Sequence, residues 1–217
     1  MKRRLIAILF PVLLISGCNT IHPPTNKAPT REFSFSSMVR PGPAHGPARF
    51  PLVLVISSAE APSWYQNPSI YYRLAYSDGR VLQPYSRSRW VAPAAELLTQ
   101  RLHAYLASQD LFKAVLGPED GAREDYALRV TLEDFSQVFE TPVSSIGQVR
   151  VRLTLVDLAT QRVVAQRVFQ DAMPAPSPDA KGGVIALDQA SARLVEAVDD
   201  WLAQLAPGLV RQRMASH

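Results

Sequence analysis

From residue 52 onward the apolar positions repeat with a period of two or of 3.6, and changes of period mark the elements. Leu52-Val53-Leu54-Val55-Ile56 is an unbroken apolar run, the pattern of a strand buried on both faces. A loop with Pro62, Asn67 and Pro68 follows. Ile70 to Tyr76 and Arg80 to Tyr85 flank Ser77-Asp78-Gly79, and Asp-Gly between β-rich runs predicts a hairpin turn. Pro93 opens a helix, where its missing N–H costs nothing. Leu98, Leu102, Tyr105 and Leu106 share one face of that helix. Leu111 to Leu116 is a short strand ended by Gly117-Pro118, and Glu119 to Asp125 is an acidic loop.

Tyr126 to Phe139 predicts a long strand in which Leu128, Val130 and Leu132 alternate with Arg129, Thr131 and Glu133. Val149, Val151, Leu153 and Leu155 alternate with Arg150, Arg152 and Thr154 in the cleanest period-two pattern of the chain. Thr160-Gln161 turns it into a third strand, Val163 to Gln170. After a loop with Pro174, Pro176, Pro178, Gly182 and Gly183, a helix runs from about Val184 to Leu205. Leu187, Leu194, Val198, Trp201 and Leu205 form its stripe, and Pro207-Gly208 is its expected stop. The order is strand, hairpin, helix, strand, three-stranded meander, helix. It predicts an α/β (α+β) two-layer sandwich, a mostly antiparallel sheet with two amphipathic helices packed on one face.

The first 51 residues read differently. Lys2, Arg3 and Arg4 precede an apolar run from Leu5 to Ile15, and Ser16 and Gly17 precede the single cysteine, Cys18. A basic start, a short apolar core and small residues form a secretory signal. Ile15-Ser16-Gly17-Cys18 resembles the lipobox of bacterial lipoproteins, which implies cleavage after Gly17 and acylation of Cys18. Two or three acyl chains anchor durably where one does not. Asn19 stands where Asp retains enterobacterial lipoproteins in the inner membrane, so the resemblance favours the outer membrane, with the body in the periplasm. Residues 19–51 hold seven of the eighteen prolines and predict a tether with a reach of ~90 Å if extended. Phe33-Ser34-Phe35 within it is apolar enough to dock on the body. The expected divisions are a signal peptide at 1–17, an acylated Cys and tether at 18–50, a domain at 51–207 and a basic tail at 208–217.

Composition narrows the function. The formal net charge is +4, but loss of the three basic signal residues leaves 20 basic against 19 acidic, a net of +1. So balanced a chain points to no nucleic-acid partner. One cysteine excludes an internal disulfide framework, and no apolar run reaches the ~18 residues of a membrane-spanning helix. There is no G-x-S-x-G, no G-x-x-x-x-G-K and no G-x-G-x-x-G, so no catalytic residue and no cofactor is expected. His22, His45, His103 and His217 are scattered, and no metal-ligand set converges. The acidic pairs Glu119/Asp120, Glu124/Asp125, Glu133/Asp134 and Asp199/Asp200 read as solvated charge. Glu133 and Asp134, as strand neighbours, are expected to leave opposite faces.

Seven aromatic residues fall between Trp64 and Trp90: Trp64, Tyr65, Tyr71, Tyr72, Tyr76, Tyr85 and Trp90. They read as hairpin packing or as an interface, since flat amphipathic rings serve both. Tyr72-Arg73-Leu74, the hairpin, and Ser88-Arg89-Trp90-Val91-Ala92-Pro93 leading into the first helix resemble the ABC-type transport auxiliary lipoprotein family. So do Leu132-Glu133-Asp134-Phe135-Ser136-Gln137-Val138-Phe139, the meander and the last helix with Trp201. The resemblance spans roughly residues 50 to 206. It implies a periplasmic accessory lipoprotein that docks an MCE-domain protein, with its ABC permease and ATPase, or copies of itself, in transport of lipid or other hydrophobic molecules. The residues expected to meet a partner are Tyr72, Arg73, Arg89, Trp90, Phe135, Gln137 and Phe139. The alternatives are an envelope-assembly or scaffold lipoprotein with a TolB-like domain, a lipid-binding protein with an apolar pocket between helix and sheet, and an anchored hydrolase.

Overall fold

The computed structural model describes residues 29–36 and 49–215. Cys18, the signal segment and most of the proline-rich stretch lie outside the described residues. The elements are β1 (Arg31–Phe33), β2 (Phe50–Ile56), a 3-10 turn (Ser63–Tyr65), β3 (Ser69–Leu74), a one-turn helix α1 (Ala75–Asp78) and β4 (Gly79–Trp90). After them come α2 (Ala94–Ser108), β5 (Phe112–Leu116), β6 (Tyr126–Thr141), β7 (Ser144–Asp157), β8 (Arg162–Pro174) and α3 (Ala180–Ala215).

The eight strands form one open mixed sheet built around β6. β7 pairs antiparallel along nearly the whole of β6, and β8 continues that meander. The other edge of β6 is shared. β2 pairs parallel with Tyr126–Leu128, Glu60 bridges to Thr131, and β3 pairs parallel with Ser136–Phe139. The chain from β2 to β3 therefore runs beside β6 as one interrupted parallel strand. β5 extends the sheet beyond β2, and β4 and then β1 extend it beyond β3. Antiparallel ladders carry most of the pairing, and α2 and α3 cover one face, as the pattern predicts. Leu128, Val130, Leu132, Val149, Val151, Leu153 and Leu155 point into that buried layer. Leu98, Leu102, Leu106, Leu187, Leu194, Val198 and Trp201 of the helices meet them there.

Three local expectations fail. The hairpin turns through α1 and not through a two-residue Asp-Gly turn; Gly79 has φ −65°, so its left-handed freedom is unused, and Asp78 Oδ1 accepts the Arg80 N–H. The last helix begins at Ala180, because the Asp179 carboxylate accepts the Gly182 N–H at 2.8 Å as an N-cap does. It then continues through Pro207 to Ala215. An interior proline costs about 3 kcal/mol, but here packing beyond it holds the turn. Leu209 is buried, its carbonyl accepts the Tyr126 hydroxyl at 3.3 Å, and Arg213 pairs with Asp125.

Gly147 of β7 sets the spacing between the layers. A Cβ there would lie 2.5 Å from Leu187 N and 2.7 Å from the Ala186 carbonyl carbon. At Gly208, by contrast, a Cβ would have no neighbour within 4 Å. Gly147→Ala is expected to destabilise the fold by about 1–3 kcal/mol through overpacking, whereas Gly208→Ala stabilises the helix by up to ~1 kcal/mol. Urea midpoints of the two variants measure both signs.

Candidate functional site

β6 changes phase in the middle. Leu132 pairs with Val151 and Asp134 with Arg150, so Glu133 is the extra residue of a β-bulge. Before the bulge, positions 128, 130 and 132 face the helices; after it, 135, 137 and 139 do. Glu133 and Asp134 therefore both reach side chains of the open face, contrary to the opposite-face expectation. Glu133 accepts from Arg150 Nε at 2.7 Å and Arg152 at 2.5 Å. The Arg150 hydrogen bond leads the interactions that hold its carboxyl below the ordinary value.

Asp134 is the centre of a larger polar group. Its Oδ1 accepts from the Tyr65 hydroxyl at 2.7 Å, the Ser136 hydroxyl at 2.9 Å and Arg73 at 3.1 Å. Its Oδ2 accepts from Gln148 Nε2 at 2.8 Å. The Tyr65 hydroxyl also accepts the Phe135 N–H at 3.2 Å, and its ring meets Tyr71 edge to face. The loop between β2 and β3 is thereby pinned over part of the open face.

On the helix side of β6, Gln137 is fully buried. Its Oε1 accepts the Tyr85 hydroxyl at 2.9 Å and its Nε2 donates to Ser145 Oγ at 2.7 Å. A Cβ on Gly183 would fall 2.0 Å from Gln137 Oε1, so a side chain here would displace the Gln137 amide from its partners. Tyr72 donates to Gln83 and packs on Tyr85 and Phe139.

A third group ties the N-terminal segment down. Phe35 packs on Trp90 and Phe135, whose rings also meet each other at 5.7 Å. The buried Arg101 guanidinium lies 4.1 Å from the Phe35 ring centroid and pairs with Asp188 of α3. It donates further to the Asp188 and Ser36 carbonyls, and the Ser36 N–H donates to Asp188 Oδ1.

The residues proposed from sequence for docking thus separate. Trp90, Phe135, Gln137 and Phe139 are buried, which takes them off the surface, because the bulge and the Phe35 plug turn them into core. Tyr72 and Arg73 are partly exposed, Arg73 through its Asp134 pair, and Arg89 is exposed and paired with Glu32. Trp64 is 52% exposed. Near it, a recess of about 690 Å³ opens between the β2–β3 loop and the start of α2, with Ala59, Ala61, Pro93 and Ala95 in its wall and Glu60, Gln66, Glu96 and Gln100 exposed around it. Among the described residues no three His, Cys, Asp or Glu side chains gather as a metal site, and no helix is long and apolar enough to cross a membrane.

The Asp134 and Arg101 groups were missed from sequence, since their members lie far apart in the chain. The bulge did leave a signal: the apolar phase switches from even to odd positions between Leu132 and Phe135.

A family model described as "ABC-type transport auxiliary lipoprotein component" matches residues 33–199. The chain belongs to this family. Its members are auxiliary lipoproteins of transport systems, and the match takes in the β6 bulge, the Asp134 group and the Phe35 clamp of this one. The crystal structure of protein XCC0632 from Xanthomonas campestris is similar, with TM-score 0.70 at 22% identity over 86% of this chain and 99% of that one. An uncharacterized protein matches with TM-score 0.61 at 14% identity, over 80% of this chain and 99% of that one. At such identities the likeness is one of fold. No protein of curated function matches the sequence.

Two measurements test this placement of the transport auxiliary lipoprotein's residues. Trp90→Ala and Phe135→Ala are each expected to lose about 3–5 kcal/mol in urea unfolding, as buried aromatics do. Alkaline pH tests the tyrosines. Burial, then the Asp134 charge, pushes the Tyr65 hydroxyl up; burial does the same for Tyr85, and for Tyr105 to about 12. The folded state holds these protons more tightly than the unfolded one. That stabilisation is complete below the ordinary tyrosine value of about 10 and is lost as pH rises through the folded values. The urea midpoint should fall above about pH 10, and less steeply in Tyr65→Phe.

Proposed function

We propose that this chain is the membrane-anchored accessory lipoprotein of an ABC-type system that moves lipids or other hydrophobic molecules across a bacterial envelope. It acts by docking an MCE-domain protein, with its permease and ATPase, and not by catalysis. The family match over residues 33–199 carries that reading. Cys18 is the lipid-attachment residue, and acyl chains on it hold the chain in a membrane. Asn19 in place of Asp supports the outer membrane, with the body in the periplasm.

The docking surface in this reading is the part of the sequence-derived patch that reaches solvent, with Trp64 added. Tyr65, whose ring lies 6.3 Å from that of Trp64, shares Asp134 with Arg73. Trp64 thus sits on a rigidly supported loop beside the alanine-walled recess, and exposed tryptophan on a fixed scaffold is a frequent interface anchor.

Affinity purification of the acylated protein from detergent-solubilised envelopes, with mass spectrometry, tests both parts. An MCE-domain protein recovered with its permease and ATPase supports the transport reading; peptidoglycan or secretion machinery in their place sinks it. Trp64→Ala should change folding stability by less than ~0.5 kcal/mol, as surface substitutions do, while partner recovery drops about tenfold or more, the effect of losing an interface anchor. Unchanged recovery moves the interface elsewhere.

A further inference from the structure

Residues 31–36 belong to the stretch that the proline pattern assigns to a tether, yet they are built into the body. Arg31, Glu32 and Phe33 pair with Ser88, Arg89 and Trp90. Phe35 fills the space over Trp90 and Phe135, and Ser36 is held through both its N–H and its carbonyl. With acyl chains on Cys18, the leash ends at Arg31. The 13 steps from Cys18 to Arg31 span at most ~45 Å when fully extended, about half the reach of the whole proline-rich stretch. The β1–β4 edge of the sheet is then the side tied towards the membrane. β8, reached across the sheet through β4, β3, β6 and β7, lies at its other end.

That edge carries a net positive charge, with Arg31, Arg87 and Arg89 against Glu32. Arg31 and Arg87, both exposed, line a recess of about 330 Å³ with Pro29, Thr30 and Ser88. Among the described residues no carboxylate lies in an ion pair with either arginine; Glu32, the acid on β1, pairs with Arg89. The acid near Arg31 is Asp179, whose carboxyl is held low first by the Gly182 N–H and the Ser177 hydroxyl, and further by Lys181 and Arg31. It caps α3 and leaves the arginines' positive charge in excess. A guanidinium offers a planar fork of donors that matches a phosphate.

We propose that the β1–β4 edge binds the phosphates of anionic phospholipids, through Arg31 and Arg87, in the membrane that holds the anchor. The contact deepens the function proposed above and rests on acylation of Cys18. A leash alone lets the body tumble; a second contact beside its attachment point orients it. Each arginine close to an anionic surface shifts the balance towards contact about fivefold.

Arginine footprinting tests this on the full acylated protein in vesicles of phosphatidylcholine, with and without phosphatidylglycerol. Phenylglyoxal modification, read by mass spectrometry, should slow about fivefold at Arg31 and at Arg87 when phosphatidylglycerol is present. Arg167, exposed on β8, should react equally in both. Equal rates at Arg31 and Arg87 in the two vesicles overturn the proposal. So does protection reproduced by inorganic phosphate over phosphatidylcholine alone, which would mark a site for a free anion. The intact mass of the same sample reports the acyl chains separately. A chain without them removes the anchor reading itself, whereas an acylated chain without protection leaves the anchor standing and removes only this contact.

Discussion

The extra residue at Glu133 is the constraint on which the rest of the sheet depends. β6 carries the β7–β8 meander on one edge and both β2 and β3 on the other, so every other strand joins the sheet through it. Its two halves must face the helices with opposite parity, and the bulge supplies that change. It turns Phe135, Gln137 and Phe139 inward, where they meet Trp90, Ser145 and Tyr72. It also leaves two adjacent carboxylates on the open face. Each has its cations at hand: Arg150 and Arg152 for Glu133, Arg73 for Asp134. Without the bulge, one half of the strand would place its apolar residues in water.

Polar groups at depth then fix what apolar packing leaves open. Asp134 joins the β2–β3 loop, β3, β6 and β7 through four side-chain partners. Arg101 and Asp188 join α2 to α3 and both to Ser36. Removing one member of such a group strands the others without a partner, which costs more than the intact group adds to stability. Gly147 and Gly183 act by absence: Gly147 admits the backbone of α3 at close range, and Gly183 leaves room for the Gln137 amide.

The clamp on residues 31–36 joins the fold to its proposed work. An auxiliary lipoprotein must hold a body at a defined place relative to a membrane and to the transporter it serves. Anchoring on a long free chain would give reach without orientation. In the proposed reading, folding the end of that chain into the β4 edge would shorten the reach and turn that edge towards the lipid. The Trp64 loop is tied to the same strand, through Tyr65 on Asp134 and the Glu60 bridge to Thr131.

The sequence alone determined the order of the main elements from β2 onward, the fold class and the faces of both long helices, since period-two and helical spacing report local geometry directly. It also carried the family resemblance. Tertiary structure decided the rest. Asp-Gly predicted a tight turn, but β3 and β4 are joined by a helical turn. Pro207 predicted a stop, but Leu209 and Arg213 have partners that keep the helix going. Phe33-Ser34-Phe35 stands out from the tether as apolar enough to dock, but the prolines and polar residues around it hide a three-residue strand, whose partner lies more than fifty residues away. Trp90, read as hairpin packing or interface, and Phe135, expected at a docking surface, are core because Phe35 covers both, which nothing local to them reveals. Local pattern fixes what a segment can be; which of its side chains meet solvent depends on distant segments, and that information exists only once they have packed.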